Sequence, residues 1–184
     1  MEFGKIILLS IAAAILYGLV HDQITARVCL EYFTIGHPRM FASDSPTLHA
    51  LYWGIAATWW AGLIIGLLLA TASRAGSLPK LAAKQQLRPV AILILVMGLL
   101  AAAVGIYTYR QAHSGVWRLD MFFADANWIP AEAQAGFLAD AFTHSMSYLS
   151  GFLGGLVLCV VTLIRRARLR TTPAATEVVA GVIS

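Results

Sequence analysis

The chain has 184 residues, of which 59% are hydrophobic and 12% are charged, and its mean hydropathy is +0.75. Soluble domains are typically ~45–50% apolar and ~25% charged, so this composition excludes an ordinary soluble protein. The net charge of +4 is no argument for nucleic-acid binding, because the basic residues lie beside the apolar runs, where they act as a topology signal.

Four apolar runs are long enough, or nearly so, to cross ~30 Å of hydrocarbon as helices of about 20 residues. They predict an all-α fold, an integral membrane four-helix bundle, in one domain over residues 1–170 with structured extracytoplasmic loops. The predicted spans cover residues 6–26, 49–72, 89–109 and 145–165. The first run also resembles a secretory signal, but no convincing cleavage site follows it, which favours an uncleaved span.

Basic residues gather on one side of the predicted membrane. The loop after the second span contains no acid and carries Arg74, Lys80, Lys84 and Arg88, and the stretch RRARLR at the end of the fourth carries Arg165, Arg166, Arg168 and Arg170. The positive-inside rule therefore predicts cytoplasmic termini, outer loops at 27–48 and 110–144, and a mobile cytoplasmic tail at 171–184. We expect the protein to lie in a bacterial inner membrane.

Small residues spaced four apart predict contact faces between the spans. The pairs are Ala14 and Gly18, Gly62 and Gly66, Gly98 and Ala102, and Gly151 and Gly155. Trp59 and Trp60 fall near the middle of the second span, away from the interface that tryptophan prefers. We expect these indoles to fill the bundle core or to line a cavity.

Both outer loops carry helix signals. The first helix is expected to continue beyond the lipid, where Arg27 and Glu31 stand four apart and could pair. In the second loop, Asn127 is a candidate cap and Pro130 falls in the first turn of a helix. This helix is expected to lie along the membrane surface before the fourth span.

Counting outward from the basic residues at 1.5 Å per residue places polar side chains of all four helices at about 24 to 38 Å. They are His21, His49, Arg110 and His144. Asp22 adjoins His21, and Asp140 precedes His144 by one turn on the same helix face. The sequence thus predicts one polar layer at the outer end of the bundle.

Imidazoles and carboxylates that converge from separate helices are how bundles hold metal ions. We predict metal ligation by His21, His49, Asp140 and His144, within a polar cluster that also includes Asp22, Arg27, Glu31 and Arg110. A set of three histidines would suit zinc, copper or iron, and a mixture of histidine and carboxylate would suit iron or manganese. Asp140 could either share the metal or orient His144. Haem b is the variant cofactor, with His49 and His144 as axial ligands.

The alternative is that these polar residues have only a structural role, because polar residues are expected wherever helices leave the lipid. It is favoured for His37 and His113, which lie in loops, and for Cys29 and Cys159, which are expected to be free thiols too far apart for a disulfide. No HExxH motif, phosphate-binding glycine loop or GxSxG motif occurs. The sequence leaves open whether the protein is an enzyme.

Three functions remain, and metal or cofactor binding is the first. The second is a non-catalytic accessory subunit of a larger membrane complex, and the third is a transporter component, although four spans are few for a carrier and no inverted repeat is visible. The expected partners are membrane lipids, together with other membrane subunits or further copies of this chain. No nucleic acid is expected.

Overall fold

The computed structural model describes residues 1–171 as an all-helical protein, and no β-strand occurs in that range. Its α-helices are α1 (Glu2–Val28), α2 (Leu30–Thr34), α3 (Pro46–Ala56), α4 (Trp59–Arg74), α5 (Leu87–His113) and α6 (Gln134–Thr171). The stretches long and apolar enough to cross a membrane are Glu2–Val28, Pro46–Arg74, Ala83–His113 and Ala131–Thr171. Four such helices were predicted, and this is confirmed. The predicted tail lies, apart from its first residue, outside the described residues.

The helices pack as two groups. In the first group α1 lies along α3 and α4, in the second α5 lies along α6, and contacts between α4 and α6 join the two groups. Close approach depends on small residues. A Cβ on Gly18 would collide with the Gly54 carbonyl oxygen, and a Cβ on Gly62 would lie 2.8 Å from the Ala14 Cβ. The small-residue faces predicted for the first two spans are therefore contact faces.

The second apolar stretch consists of two helices, because the helix is interrupted at Ala57 and Thr58. The Thr58 amide donates to the Ile55 carbonyl at 3.2 Å, and the Thr58 hydroxyl donates to the Gly54 carbonyl instead. A side chain that enters the main-chain hydrogen-bond ladder is a known cause of helix kinks. No proline marks this break in the sequence.

The first helix ends sooner than predicted. α1 stops one residue before Cys29, whose backbone is extended (φ −149°, ψ 104°), and α2 begins one residue after it. The expected Arg27–Glu31 pair is therefore absent, since an i,i+4 pair requires an unbroken helix. Arg27 instead donates to the Gln23 side-chain oxygen at 2.7 Å and to the Thr47 hydroxyl at 2.9 Å.

The fourth helix begins earlier than predicted. α6 starts at Gln134, inside the predicted outer loop 110–144, and runs without a break over 38 residues to Thr171. The expected surface helix and the fourth span are thus one helix with no turn between them. Pro130 precedes a short 3₁₀ turn ahead of α6 and does not lie in its first turn.

At one end of the bundle, α6 buries a charged side chain. Arg166 is 1% exposed. Its guanidinium donates to the main-chain carbonyls of Ala72 (2.6 Å), Ala75 (2.7 Å), Leu78 (3.0 Å) and Pro79 (2.8 Å). Arg166 thereby satisfies carbonyls at the C-terminal end of α4 and in the loop that follows. We call this part of the bundle the Arg166 end and the opposite part the His144 end.

Candidate metal site and cavity

Two helices bring three ligand-type side chains together at the His144 end. His21 and Asp22 lie in α1 and His144 lies in α6, and one ligand atom of each lies within 4.8 Å of the others. His144 Nε2 is 3.2 Å from Asp22 Oδ1. The two imidazole rings meet edge to face, with centroids 4.6 Å apart. These three residues form what we call the His/Asp cluster.

A main-chain carbonyl orients the His144 ring. Its Nδ1 lies 2.8 Å from the Asp140 carbonyl oxygen. A carbonyl can only accept, so Nδ1 carries a proton, and in the neutral ring Nε2 presents its lone pair toward Asp22. Histidines that bind metals are commonly oriented in this way, by donating their second nitrogen to a carbonyl or carboxylate.

A pair of hydroxyl groups orients the His21 ring. The Ser147 hydroxyl donates a hydrogen bond to the Thr143 carbonyl at 3.0 Å. Its oxygen therefore accepts the hydrogen bond that joins it to the Tyr17 hydroxyl at 2.6 Å. The Tyr17 oxygen can then accept from His21 Nδ1, which lies 3.4 Å away. We assign the His21 proton to Nδ1 from this network. His21 Nε2 remains as a buried lone pair that has no hydrogen-bond partner within residues 1–171.

Acceptor atoms therefore face one another at the centre of the His/Asp cluster. An Asp22 carboxylate has no proton to donate, and a neutral His144 turns a lone pair toward it. The two side chains are only 6% and 14% exposed, so leaving these atoms unpaired would be costly. A shared proton resolves the conflict between Asp22 and His144. A bound cation resolves it too, and can also engage the His21 lone pair.

Aromatic side chains cover the cluster on the side away from the Arg166 end. Tyr32 stacks on His144 with ring centroids 4.6 Å apart, and Phe33 approaches the same ring at 5.8 Å. Burial raises the pKa of the Tyr32 phenol, and it raises the pKa of the neighbouring Cys29 thiol to about 12. The cover therefore consists of uncharged groups.

An apolar cavity of about 350 Å³ extends from the cluster toward the Arg166 end. His21, Asp22 and His144 line one end of it together with Tyr17 and Ser147. Aliphatic and aromatic side chains of α1, α4, α5 and α6 form most of the remaining wall. Ligand-binding pockets typically measure ~300–1,000 Å³ and combine an apolar lining with a few placed polar groups. The cavity fits that description.

The structure does not bring His49, a predicted ligand, into the cluster. His49 lies in the first turn of α3, fully buried, with Nε2 2.8 Å from the Ser43 carbonyl oxygen and its ring 5.8 Å from the Phe41 ring. In the part of the chain that the structure describes, it is not among the side chains whose ligand atoms converge. His49 was predicted as a ligand from its depth along the bundle. Depth does not determine the direction in which a side chain points around the helix axis.

Asp140 lies one turn before His144, as predicted, but it contacts the ring through its main chain. The carboxylate was predicted either to share a metal or to orient the imidazole, but the atom of Asp140 that contacts the His144 ring is the main-chain carbonyl oxygen. The carboxylate is not part of the converging group, and its Oδ2 is buried with no hydrogen-bond partner among residues 1–171.

The other members of the predicted polar cluster lie apart from Asp22. Arg27 and Arg110 are exposed, and Glu31 is half-buried and accepts a 3.4 Å hydrogen bond from the Cys29 thiol. None of the three lines the cavity. Among the described residues, the basic side chain that lies beside the Asp22 carboxylate is His144 and not an arginine.

Sequence reasoning missed the residues that position the two histidines. Tyr17 lies one turn before His21, and Ser147 lies three residues after His144. Helical spacing places such residues beside the ligands, so this signal could have identified them. Tyr32 gave no comparable signal, because it reaches His144 only after the break that follows α1.

The chain matches no protein-family model, and no significant match is found among curated proteins or solved structures. The roles of its residues are therefore inferred from the geometry and chemistry of the site.

Proposed function

We propose that this chain is a small integral membrane protein that binds one transition-metal ion through His21, Asp22 and His144. The observation that carries the proposal is the convergence of two imidazoles and one carboxylate, with ligand atoms within 4.8 Å of one another. Two histidines and a carboxylate are ligands that zinc and ferrous iron both accept. The hydrogen bonds to the two Nδ1 atoms support the proposal, because they turn the opposite ring edges toward the cluster centre.

The spacing of the cluster is close to that of a metal site. At metal–ligand distances of ~2.0–2.2 Å and tetrahedral angles, two ligand atoms lie about 3.3 Å apart. His144 Nε2 and Asp22 Oδ1 are already 3.2 Å apart. The widest separation in the group, 4.8 Å, closes to the tetrahedral value by a shift of roughly 1.5 Å.

Three ligands from the chain leave one coordination position open. Catalytic zinc sites keep such a position for water or substrate, and non-haem iron sites with two histidines and a carboxylate do the same. Because all three ligands line the cavity, the open position faces it. The arrangement is thus compatible with an enzyme as well as with a metal-binding protein.

A metal ion fits the site better than haem b does. Two axial histidines approach the iron from opposite faces of the macrocycle. The rings of His21 and His144 are in edge contact with centroids 4.6 Å apart, which leaves no space for a porphyrin between them. The predicted axial ligand His49 has its Nε2 engaged with the Ser43 carbonyl.

We place the His/Asp cluster at the extracytoplasmic end of the bundle, in a bacterial inner membrane. The positive-inside rule supports this orientation, because basic residues such as Arg74, Arg88 and Arg165 lie near the opposite end. A reporter enzyme that works only in the cytoplasm should be active when fused to the C-terminus. Activity of a periplasmic reporter at that position would contradict the orientation.

Metal analysis of the purified protein tests the proposed function. We expect about one zinc or iron ion per chain, removed by a chelator and restored by added metal. His21→Ala and His144→Ala should both lose the metal. His113→Ala is the matched control, because His113 is an exposed histidine at the end of α5 and should leave metal content unchanged.

Stability provides a second readout. A ligand at 100 times its Kd stabilises the folded state by about 2.7 kcal/mol, so chelation should lower the thermal stability of the wild-type protein. The same chelator should leave the stability of His144→Ala unchanged. A folded wild-type protein that takes up neither Zn²⁺, Fe²⁺ nor Cu²⁺ would contradict the proposal, and the Asp22–His144 contact would then be a pair that shares a proton.

A further inference from the structure

We infer that the cavity beneath the His/Asp cluster binds a long-chain acyl compound, with the hydrocarbon chain in the cavity and a carbonyl or carboxylate oxygen at the cluster. The placement of the chain stands on the cavity itself. The oxygen contact with a metal rests on the proposed function.

The cavity is long and narrow. Its lining on α1 runs from Asp22 to Ser10, and its lining on α6 runs from His144 to Leu158. At 1.5 Å per residue these stretches measure about 18 Å and 21 Å. A volume of about 350 Å³ distributed over that length suits an extended chain better than a compact ring system.

Polarity is confined to one end of the cavity. Tyr17 and Ser147 lie with the cluster at that end, whereas the far end is closed by buried apolar residues. These apolar residues are Leu69, Val90 and Leu158. Ser10 lies near the same end, but its hydroxyl is already donated to the Ile6 carbonyl at 3.0 Å. A ligand with one polar end and a long apolar remainder matches this distribution.

The cavity reaches the surface of the bundle between α4 and α6. Residues that line the cavity and are also exposed lie on these two helices: Trp60, Ile64, Tyr148 and Phe152. The Trp60 and Tyr148 rings stack with centroids 6.3 Å apart, and the Tyr148 hydroxyl donates to the Ala57 carbonyl at the break between α3 and α4. Because this surface belongs to apolar helices, the opening faces acyl chains and not water.

The chemistry of the cluster selects the polar end of the ligand. The open coordination position faces the cavity, and zinc and iron both accept oxygen ligands there. An acyl compound supplies such an oxygen at the end of its chain, whereas a plain hydrocarbon does not. The acyl group could come from a free fatty acid or from an esterified lipid, and these two sources are separated by experiment.

Binding measurements on zinc-loaded protein, freed of lipid in a short-chain detergent, test the inference. The probes are radiolabelled palmitate, lysophosphatidylcholine with a palmitoyl chain, and hexadecane. We expect saturable binding of palmitate, of the lysolipid or of both, with hexadecane at least about ten-fold weaker. Tighter binding of one oxygen-bearing probe identifies the source. If neither binds, or if hexadecane binds equally well, the inference is overturned.

A cavity-filling variant locates the bound chain. Ala61→Leu adds volume at a half-buried position that lines the cavity. It should weaken binding of the acyl probe by about ten-fold or more while zinc content stays unchanged. Ala102→Leu makes the same change at an exposed position on α5 and should alter neither property. Wild-type binding by Ala61→Leu would overturn the inference.

The failure of this inference can be distinguished from the failure of the proposed function. In His144→Ala, which should lose zinc, acyl binding should fall to the level of hexadecane. If the wild-type protein binds zinc but no acyl probe, the inference is overturned and the proposed function stands. If it binds the acyl probe in the cavity but no metal, the proposed function fails, together with the metal contact of the oxygen, and the chain site stands.

Discussion

The two ends of the bundle bury polar groups in opposite ways. At the Arg166 end, the guanidinium donates to four main-chain carbonyls around the end of α4. At the His144 end, Asp22 and His144 turn acceptor atoms toward each other, and His21 Nε2 has no partner within residues 1–171. Each nitrogen of the Arg166 guanidinium donates to a carbonyl of the chain, whereas the His/Asp cluster requires an added proton or cation.

This difference separates a structural role from a binding role. A buried charge that donates to several carbonyls has a structural role, because removing it leaves those carbonyls unpaired. Buried lone pairs that converge without a donor are instead a reason to expect a ligand. Both ends carry buried ionisable residues, so residue type alone does not distinguish them.

The largest effect is expected at the arginine network. Arg166→Met removes the donor from four carbonyls and should lower the free energy of unfolding by about 4 kcal/mol or more, because each buried carbonyl left without a partner costs about 1–3 kcal/mol. Denaturation of the purified protein by sodium dodecyl sulfate measures this change. Arg165→Met alters an exposed neighbour and should stay within about 0.5 kcal/mol of the wild type. Equal stability of both variants would show that other donors replace Arg166.

In contrast to Arg166→Met, Asp22→Asn should weaken metal binding and leave the stability of the metal-free protein nearly unchanged. It removes an anionic ligand, so we expect zinc affinity to fall by more than about 100-fold, beyond the range usual for residues that only orient a ligand. The metal-free protein should keep its stability to within about 1 kcal/mol, because the amide can donate to His144 Nε2. Competition titration with a zinc-binding dye measures the affinity, and Asp44→Asn, at an exposed carboxylate, is the control. If Asp22→Asn bound zinc as tightly as the wild type, Asp22 would not be a metal ligand.

Tyr17→Phe should have a smaller effect on the same measurement. It keeps the ring but removes the hydroxyl that contacts His21 Nδ1 and Ser147. Loss of such a positioning group typically costs about ten-fold or somewhat more in metal affinity. Tyr109→Phe makes the same change at an exposed tyrosine of α5 and should have no effect. An unchanged affinity in Tyr17→Phe would mean that packing alone orients His21.

The smallest effect concerns the aromatic cover of the cluster. Cys29 is 3% exposed, and burial raises the pKa of its thiol to about 12. The folded protein should therefore keep this thiol protonated at pH 8 and at pH 9.5, whereas a free thiol ionises near pH 8.5. In a Cys159→Ser background, a thiol reagent should not modify the folded protein at pH 8 or 9.5, and should react after unfolding. Rapid modification of the folded protein would show that the cover opens.

Much of the fold could be predicted from apolar run length. Each of the four runs forms part of a helical stretch long enough to cross a membrane. The breaks at Cys29 and at Ala57–Thr58 could not be predicted, because neither carries a proline. In the second case, the close approach of Gly18 to Gly54 occurs where the helix is interrupted.

The candidate site was predictable in part. The polar layer named His21, Asp22 and His144 on two helices, and the structure brings these three together. In the structure, His49 contacts the Ser43 carbonyl instead, and Asp140 contacts His144 through its main-chain carbonyl. Counting residues gives the height of a side chain along a helix, but the angle around the axis depends on how each helix packs.

The sequence by itself determined the all-helical architecture and the positions of its apolar helices, because run length and composition act locally along the chain. Only the tertiary structure decided which polar residues meet. It paired His21 and Asp22 of α1 with His144 of α6, placed a cavity beneath them, and buried Arg166 among carbonyls. These contacts join residues about 90 or more positions apart, and their geometry is set by the packing of helices that local sequence patterns do not specify.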